Sequence, residues 1–156
     1  MLVLLIVAIM AAVVVPNIFQ SSSGRAEDQA RHLQQLLRLA ANEAMLTGVP
    51  TRWTAYADGY RFEQPDVEGE WHAMNERPFQ AVMLPGEASI LEVRVQGSDS
   101  SIEHVRDDDR PVLGRLMLMP DGMLTQADIV LAATGAADSF IQVRPGPGGV
   151  SLADLQ

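Results

Sequence analysis

The side chains able to do chemistry are few and scattered along this chain. The densest group is Asp107-Asp108-Asp109, with Glu103 and Arg110 nearby. Hard cations want several oxygen ligands, so the run is a candidate calcium site, but it lacks the alternating spacing and the glycine of a calcium loop. A solvated loop is the better reading. His32, His72 and His104 lie far apart and none belongs to an H-E-x-x-H pair, so neither zinc nor histidine catalysis is expected. Ser21-Ser22-Ser23 and Ser98-Asp99-Ser100-Ser101 lack the G-x-S-x-G elbow that activates a serine. Gly146-Pro147-Gly148-Gly149 has neither the strand-to-helix setting nor the lysine of a phosphate loop and reads as a flexible tail. The absence of cysteine excludes disulfides and thiolate metal sites. The expectation is no catalytic residue, no metal and no cofactor. Trp53, Tyr56, Tyr60, Phe62 and Trp71 read as core or sheet-face residues, and one or two of them exposed would suit a protein interface.

The elements that must position these residues are bounded by composition. With 156 residues, 47% of them apolar and 20% charged, the chain is one ordinary globular domain's worth of sequence. Charge is unevenly placed: no acid, base or histidine precedes Arg25, so the net charge of −9 belongs to the part after residue 24. That acidity argues against nucleic acid as a partner, because phosphate neutralisation needs a basic surface.

Residues 1–15 are an unbroken apolar run, followed by Pro16-Asn17-Ile18-Phe19 and a polar stretch. As a helix the run reaches about 23 Å, short of a bilayer core of about 30 Å. A signal peptide has an apolar stretch of this length but normally begins with a basic segment, which is missing. A buried core helix would need more chain around it than remains. The third reading is a membrane anchor whose first residues precede Met1.

Residues 25–47 read as a helix, with Ala26, Ala30, Leu33, Leu37, Ala40 and Ala44 at alternating spacings of four and three. Glu27 and Asp28 fall in its first turn, and Gly48-Val49-Pro50 stops it. From Thr51 onward the period changes to two. Arg52–Tyr56 and Tyr60–Glu63 flank Asp58-Gly59, a hairpin signal resting on the positive φ of a tight turn. Further strands are expected at Gly69–Met74, Gln80–Leu84, Ser89–Val95, Leu113–Met119, Gln126–Ala132 and Phe140–Val143. Pro120-Asp121-Gly122 marks another hairpin, and Gly97–Pro111 a long polar loop. One helix followed only by short strands implies an α+β fold, an antiparallel β-sandwich or wrapped sheet with the helix on one face.

The stretch MLVLLIVAIMAAVVVPNIF resembles the N-terminal helix of type IV pilins and of the pseudopilins of type II secretion. Aligning Ala11-Ala12-Val13-Val14-Val15-Pro16 with that family's Ala-Ala-x-x-x-Pro places Met1 at the seventh mature position, with six residues, including the family's glutamate, ahead of it. Six more residues bring the helix to about 32 Å, a bilayer's thickness. Leu36–Ala44, Thr47-Gly48-Val49-Pro50, Asp58-Gly59-Tyr60-Arg61-Phe62 and Met119–Thr125 narrow the resemblance to the minor pseudopilin H family, with the minor pilins of type IV pili related through the same helix. The missing N-terminal residues and the Asp-rich loop depart from the pattern.

The resemblance implies a long pilin-like helix and a non-enzymatic part in the tip or initiation complex of a pseudopilus that exports folded proteins. Residues 1–24 would anchor in the inner membrane, 25–48 would form an amphipathic helix on the sheet, and 49–156 a periplasmic β domain. Leu2, Leu4, Leu5, Ala8, Ala11, Ala12 and Pro16 would serve the membrane and filament helix, the alanines permitting close helix approach. Leu33, Leu37, Ala40 and Ala44 would pack the helix on the sheet. Implied partners are other minor pseudopilins, the major pseudopilin and inner-membrane lipid, with secreted proteins as candidate contacts. Processing by a prepilin peptidase and methylation are implied by the resemblance alone. The rival readings are a minor pilin of a type IV pilus and, from a different class, a secreted binding module or hydrolase with a cleaved signal peptide. The latter would need a convergent acid, base or metal that the sequence does not offer.

Overall fold

A computed structural model of the chain describes residues 22–86, 88–96, 106–107, 109–133, 140–146 and 149–155. The helix, α1, is Ser22–Thr47. It starts ahead of Arg25, so Ser22, Ser23 and Gly24 are helical, and Glu27 and Asp28 lie past the first turn. Glu27 pairs along the helix with Arg31 instead. Ala30, Leu33, Leu36, Leu37, Ala40, Ala41 and Ala44 form one buried stripe, which is what a spacing of three and four produces at 3.6 residues per turn. The stop is as the sequence suggests: Gly48 takes φ 72° and its N–H donates to the Ala44 carbonyl at 3.0 Å, an arrangement that favours a residue without Cβ.

The rest is antiparallel sheet. The strands are β1 (Thr51–Tyr56), β2 (Gly59–Pro65), β3 (Trp71–Ala73), β4 (Val82–Met83), β5 (Ala88–Val95), β6 (Arg106–Asp107), β7 (Arg110–Pro111), β8 (Gly114–Leu118), β9 (Ala127–Ala133), β10 (Phe140–Gly146) and β11 (Gly149–Leu155). One sheet runs β3-β2-β1-β8, with β4 also on β2; a second runs β11-β10-β9-β5, and β6 pairs with β7. The helix lies chiefly against β9, β10 and β11. Its stripe joins Trp53, Phe62, Leu116 and Leu118 of the first sheet and Ile90, Ile129 and Leu131 of the second in one core. Among the described residues the fold is α+β, with α1 packed on two larger antiparallel sheets and a short β6–β7 pair beside them.

Several local expectations change in three dimensions. The first turn is Ala57-Asp58, because Tyr56 pairs with Gly59. Gly59 serves close approach rather than positive φ: a Cβ there would sit 2.3 Å from the Val82 carbonyl oxygen of β4. Gly69, expected in a strand, takes φ 89° in a turn, and the strand shortens to Trp71–Ala73. The Pro120–Gly122 turn closes only a brief hairpin, with a bridge between Leu118 and Leu124, after which β9 joins the other sheet. The run read as a polar loop from Gly97 to Pro111 contains the β6–β7 pairing of Asp107 with Arg110. Asp109 adopts φ 62° there, a left-handed conformation that aspartate accepts more readily than most residues. Gly146 and Gly149 do not loosen the C-terminus. They face each other at one end of the β10–β11 ladder, which runs on to Phe140 and Leu155. Residues 147 and 148 lie outside the described residues.

The two sheets abut where β8 meets β5. A Cβ on Gly114 would fall 2.5 Å from Val93 Cγ1 and 2.6 Å from its Cβ, whereas one on Gly86 would meet nothing within 4 Å. Gly114→Ala is therefore expected to cost roughly 1–3 kcal/mol through forced separation of β8 from β5. Gly86→Ala should change stability by less than about 0.5 kcal/mol. Urea melts of both variants compare the two, and equal effects would remove the steric explanation.

Candidate assembly surface

The side of α1 turned away from the core presents His32, Gln35, Leu39, Asn42 and Leu46, all exposed. These positions repeat at three and four residues and so form a second stripe opposite the buried one. Leu39 is 45% and Leu46 84% exposed, with Asn42 between them on the stripe. An exposed leucine every two turns suits another helix better than water. At the C-terminal end of α1 the exposed Met45 approaches the β8–β9 turn, where a Cβ on Gly122 would lie 3.3 Å from its sulfur. Exposed Met119 and Met123 flank that turn.

Of the residues assigned from sequence to helix packing, Leu33, Leu37 and Ala44 have no exposed surface and Ala40 only 1%. Leu2, Leu4, Leu5, Ala8, Ala11, Ala12 and Pro16 lie outside the described residues. Among the described residues no helix is long and apolar enough to cross a membrane.

A buried carboxylate that sequence reasoning missed sits on the first sheet's outer face. Glu63 of β2 lies directly across from Arg52 of β1, and Arg61 across from Thr54. Alternation along both strands puts all four on the face opposite Trp53 and Phe62. Arg52 Nε donates to Glu63 Oε2 at 2.8 Å and Thr54 Oγ1 to the same oxygen at 2.6 Å. Arg61 holds Oε1 through a terminal nitrogen at 3.0 Å. Burial alone would push the Glu63 carboxyl up, but the hydrogen bonds from Arg52 and Thr54 and the charges of Arg52 and Arg61 outweigh it, and the net shift is down. Such a carboxylate stays ionised with both oxygens engaged, which suits a structural tie and not a general acid. A two-residue turn at Ala57-Asp58 would have revealed the Arg52–Glu63 pairing, but the sequence signal drew the turn one residue later.

The remaining candidates do not converge. Tyr60 is buried against Trp53 and Phe62, and burial raises its hydroxyl pKa. Trp71 is half-buried under Arg52, whose guanidinium carbon is 4.4 Å from the ring centroid. His72 Nε2 lies 2.8 Å from Asp66 Oδ2, and this hydrogen bond, with the Glu70 amide, lowers the Asp66 pKa. His32 is exposed on α1. His104, Glu103, Asp108 and Ser98–Ser101 lie outside the described residues. Among the described residues no three His, Asp or Glu side chains gather as metal ligands.

With helix, sheets and register in place, the chain can be set beside known proteins. Residues 29–149, from within α1 to the start of β11, match the sequence model of the family described as type II transport protein GspH. The chain belongs to the GspH family. Three solved structures share the GspH-like fold at low identity. Two are of the minor pseudopilin EpsH from the type II secretion system of Vibrio cholerae. One is 17% identical with a TM-score of 0.62, covering 84% of this chain and 96% of that one. The other is 18% identical with a TM-score of 0.64, covering 86% and 98%. The solution structure of GspH from E. coli is 18% identical with a TM-score of 0.62, covering 86% and 92%. No curated protein sequence matches the chain.

Proposed function

We propose that this GspH-family chain is a minor pseudopilin of a type II secretion system, a structural and non-catalytic subunit of the pseudopilus tip or initiation complex. The observation that carries the reading is the family match over residues 29–149. The likeness to the EpsH and GspH structures, extending over most of each chain, supports it. In this reading residues 1–24 hold the protein in the inner membrane, with Leu2, Leu4, Leu5, Ala8, Ala11, Ala12 and Pro16 serving both lipid and neighbouring helices. Residues 49–156 stand in the periplasm. Other minor pseudopilins and the major pseudopilin are the partners, and secreted proteins are candidate contacts. The outward stripe of α1 supports a helix-to-helix mode of assembly, because Leu39 and Leu46 lose water only when a neighbour covers them.

The chain contains no cysteine, so Leu46→Cys supplies a unique cross-linking position. In cells carrying the whole secretion system, oxidation or a short bifunctional thiol reagent, with cysteines placed on candidate partners, should yield adducts with other pseudopilins. Adducts formed only with type IV pilus subunits would reject the secretion assignment, and a Leu46→Cys chain forming no adduct with any helix would reject the packing mode.

A further inference from the structure

A strand at the end of a sheet presents a row of backbone N–H and C=O groups without partners, and natural folds blunt such edges by making them short, bulged, charged or covered. Three of the four edges of the two larger sheets are treated in this way. β3 and β4, in succession along one side of β2, are three and two residues long. The outer edge of β8 is covered by the chain returning from the Pro120–Gly122 turn. Met119 N–H donates to the Met123 carbonyl at 2.9 Å and Thr125 N–H to the Met117 carbonyl at 3.1 Å. β5 is bulged between Ile90 and Glu92, and its Ile90 N–H donates to the Ala57 carbonyl at 3.0 Å.

β11 has none of these devices. It pairs with β10 without a bulge over seven consecutive residues, Gly149–Leu155, and α1 lies over the face that β9, β10 and β11 form together. It contains no proline, lysine or arginine, and Asp154 is its one charged residue. Among the described residues no strand pairs with its far side. The register shows which groups point there. Gly146 and Gly149 face each other across a two-residue loop, and the pair that closes such a loop is hydrogen-bonded. Alternation then turns the backbone groups of Gly149, Ser151, Ala153 and Leu155 toward β10 and those of Val150, Leu152 and Asp154 away from it. Pro145, opposite Val150, fits this alternation, because it has no N–H and stands where β10 donates nothing to β11.

We propose that β11 pairs antiparallel with β11 of a second copy of this chain, about a two-fold axis at Leu152. The backbone pattern selects that occupant. Only an extended chain offers N–H and C=O groups at the spacing of alternate strand residues, and the pattern of β11 is complementary to itself when reversed. With Leu152 at the axis, Val150 of each copy lies opposite Asp154 of the other and the two Leu152 residues face each other. Every outward group is then used, in about six hydrogen bonds. Charge fits the same register: Asp154 falls opposite valine, whereas an axis at Asp154 would set two acidic residues face to face. The net charge of −9 on each chain opposes association, so salt is expected to strengthen the dimer. This edge is separate from the outward stripe of α1, and the pairing is the same whichever secretion or pilus system the chain serves.

The test uses the full chain in detergent micelles, with micelles in excess over protein, and sedimentation equilibrium at increasing concentration. The parent chain should pass from monomer to dimer. Val150→Pro removes one outward N–H from each copy and leaves the β10 ladder whole, so it should weaken dimerisation about tenfold at a nearly unchanged melting temperature. Ser151→Pro removes an N–H directed at β10 and should lower the melting temperature instead. Disulfides read the register without proline. Ser151, which is exposed, falls opposite Ala153 of the second copy, so an oxidised mixture of Ser151→Cys and Ala153→Cys chains should cross-link. Neither variant alone should, since equivalent positions stand about 8 Å apart, beyond the reach of a disulfide. A monomer at every concentration, a dimer indifferent to Val150→Pro, or equal cross-linking of the single variants would overturn the proposal. Capture of the Ser151→Cys chain in cells by a different protein, and never by the Ala153→Cys chain, would place a foreign strand on this edge and overturn it as well.

Discussion

Glu63→Gln is expected to destabilise the protein by about 3 kcal/mol, near the lower end of what breaking a buried ion pair costs because the arginines keep some contact with water. Glu63 is 1% exposed, Arg52 18% and Arg61 15% at the side chain. A glutamine fills the same space but withdraws the negative charge that Glu63 offers the two guanidiniums, and its amide cannot accept from Arg52, Thr54 and Arg61 at once. For a chain of this size the loss corresponds to a fall in melting temperature of roughly 6–12 °C. Urea unfolding should show a lower midpoint with an unchanged slope. A loss under about 1 kcal/mol would mean that solvent replaces the carboxylate and that the tie contributes little to the fold.

The same carboxylate makes stability depend on pH. Its pKa in the folded chain lies below the ordinary glutamate value of 4.5, so the unfolded chain binds the proton first as pH falls. The contribution is fully present above about pH 4.5 and is lost as pH drops toward the folded-state value. The difference in stability between the parent chain and Glu63→Gln should therefore narrow below that pH and stay constant above it. A gap that widened on acidification would contradict the assignment.

Leu37→Ala is expected to cost about 3 kcal/mol, within the range measured for large-to-small changes in well-packed cores. Leu37 has no exposed surface and belongs to the cluster that joins α1 to both sheets. Deleting its branched end leaves a cavity that rigid strands on either side cannot collapse into. Leu46→Ala, on the outward stripe at 84% exposure, should change stability by less than about 0.5 kcal/mol. The pair separates the two sides of one helix: the first holds the fold and the second, in the proposed assembly, meets a neighbour. If Leu37→Ala proved as mild as Leu46→Ala in chemical denaturation, the helix would not be seated on the sheets as described.

How far the sequence carried depended on whether the deciding interaction was local. The buried stripe of α1 could be read directly, because a helix's period of 3.6 residues reports which side faces the core without reference to what covers it. Gly48 as the stop was also readable, since the terminating bond runs from its own amide to a residue four back. Most strands were found for the same reason, through alternation, and motifs such as Leu36–Ala44 and Met119–Thr125 led to the GspH family. β11 was missed because Gly146-Pro147-Gly148-Gly149 looks like a chain ending, and only pairing with β10 makes a strand of residues 149–155.

The sequence by itself determined the helix α1 and its buried stripe, the density of strands, the acidic character of the chain and its family. Tertiary structure alone decided which strands share a sheet, why Gly59 and Gly114 must lack a side chain, and that Glu63 is tied between Arg52 and Arg61. The physical reason is that periodicity records only whether a residue is covered. Register and close approach depend on strands distant in the chain, as with Gly59 beneath Val82 of β4 and Gly114 against Val93 of β5, and no short window of sequence contains both partners.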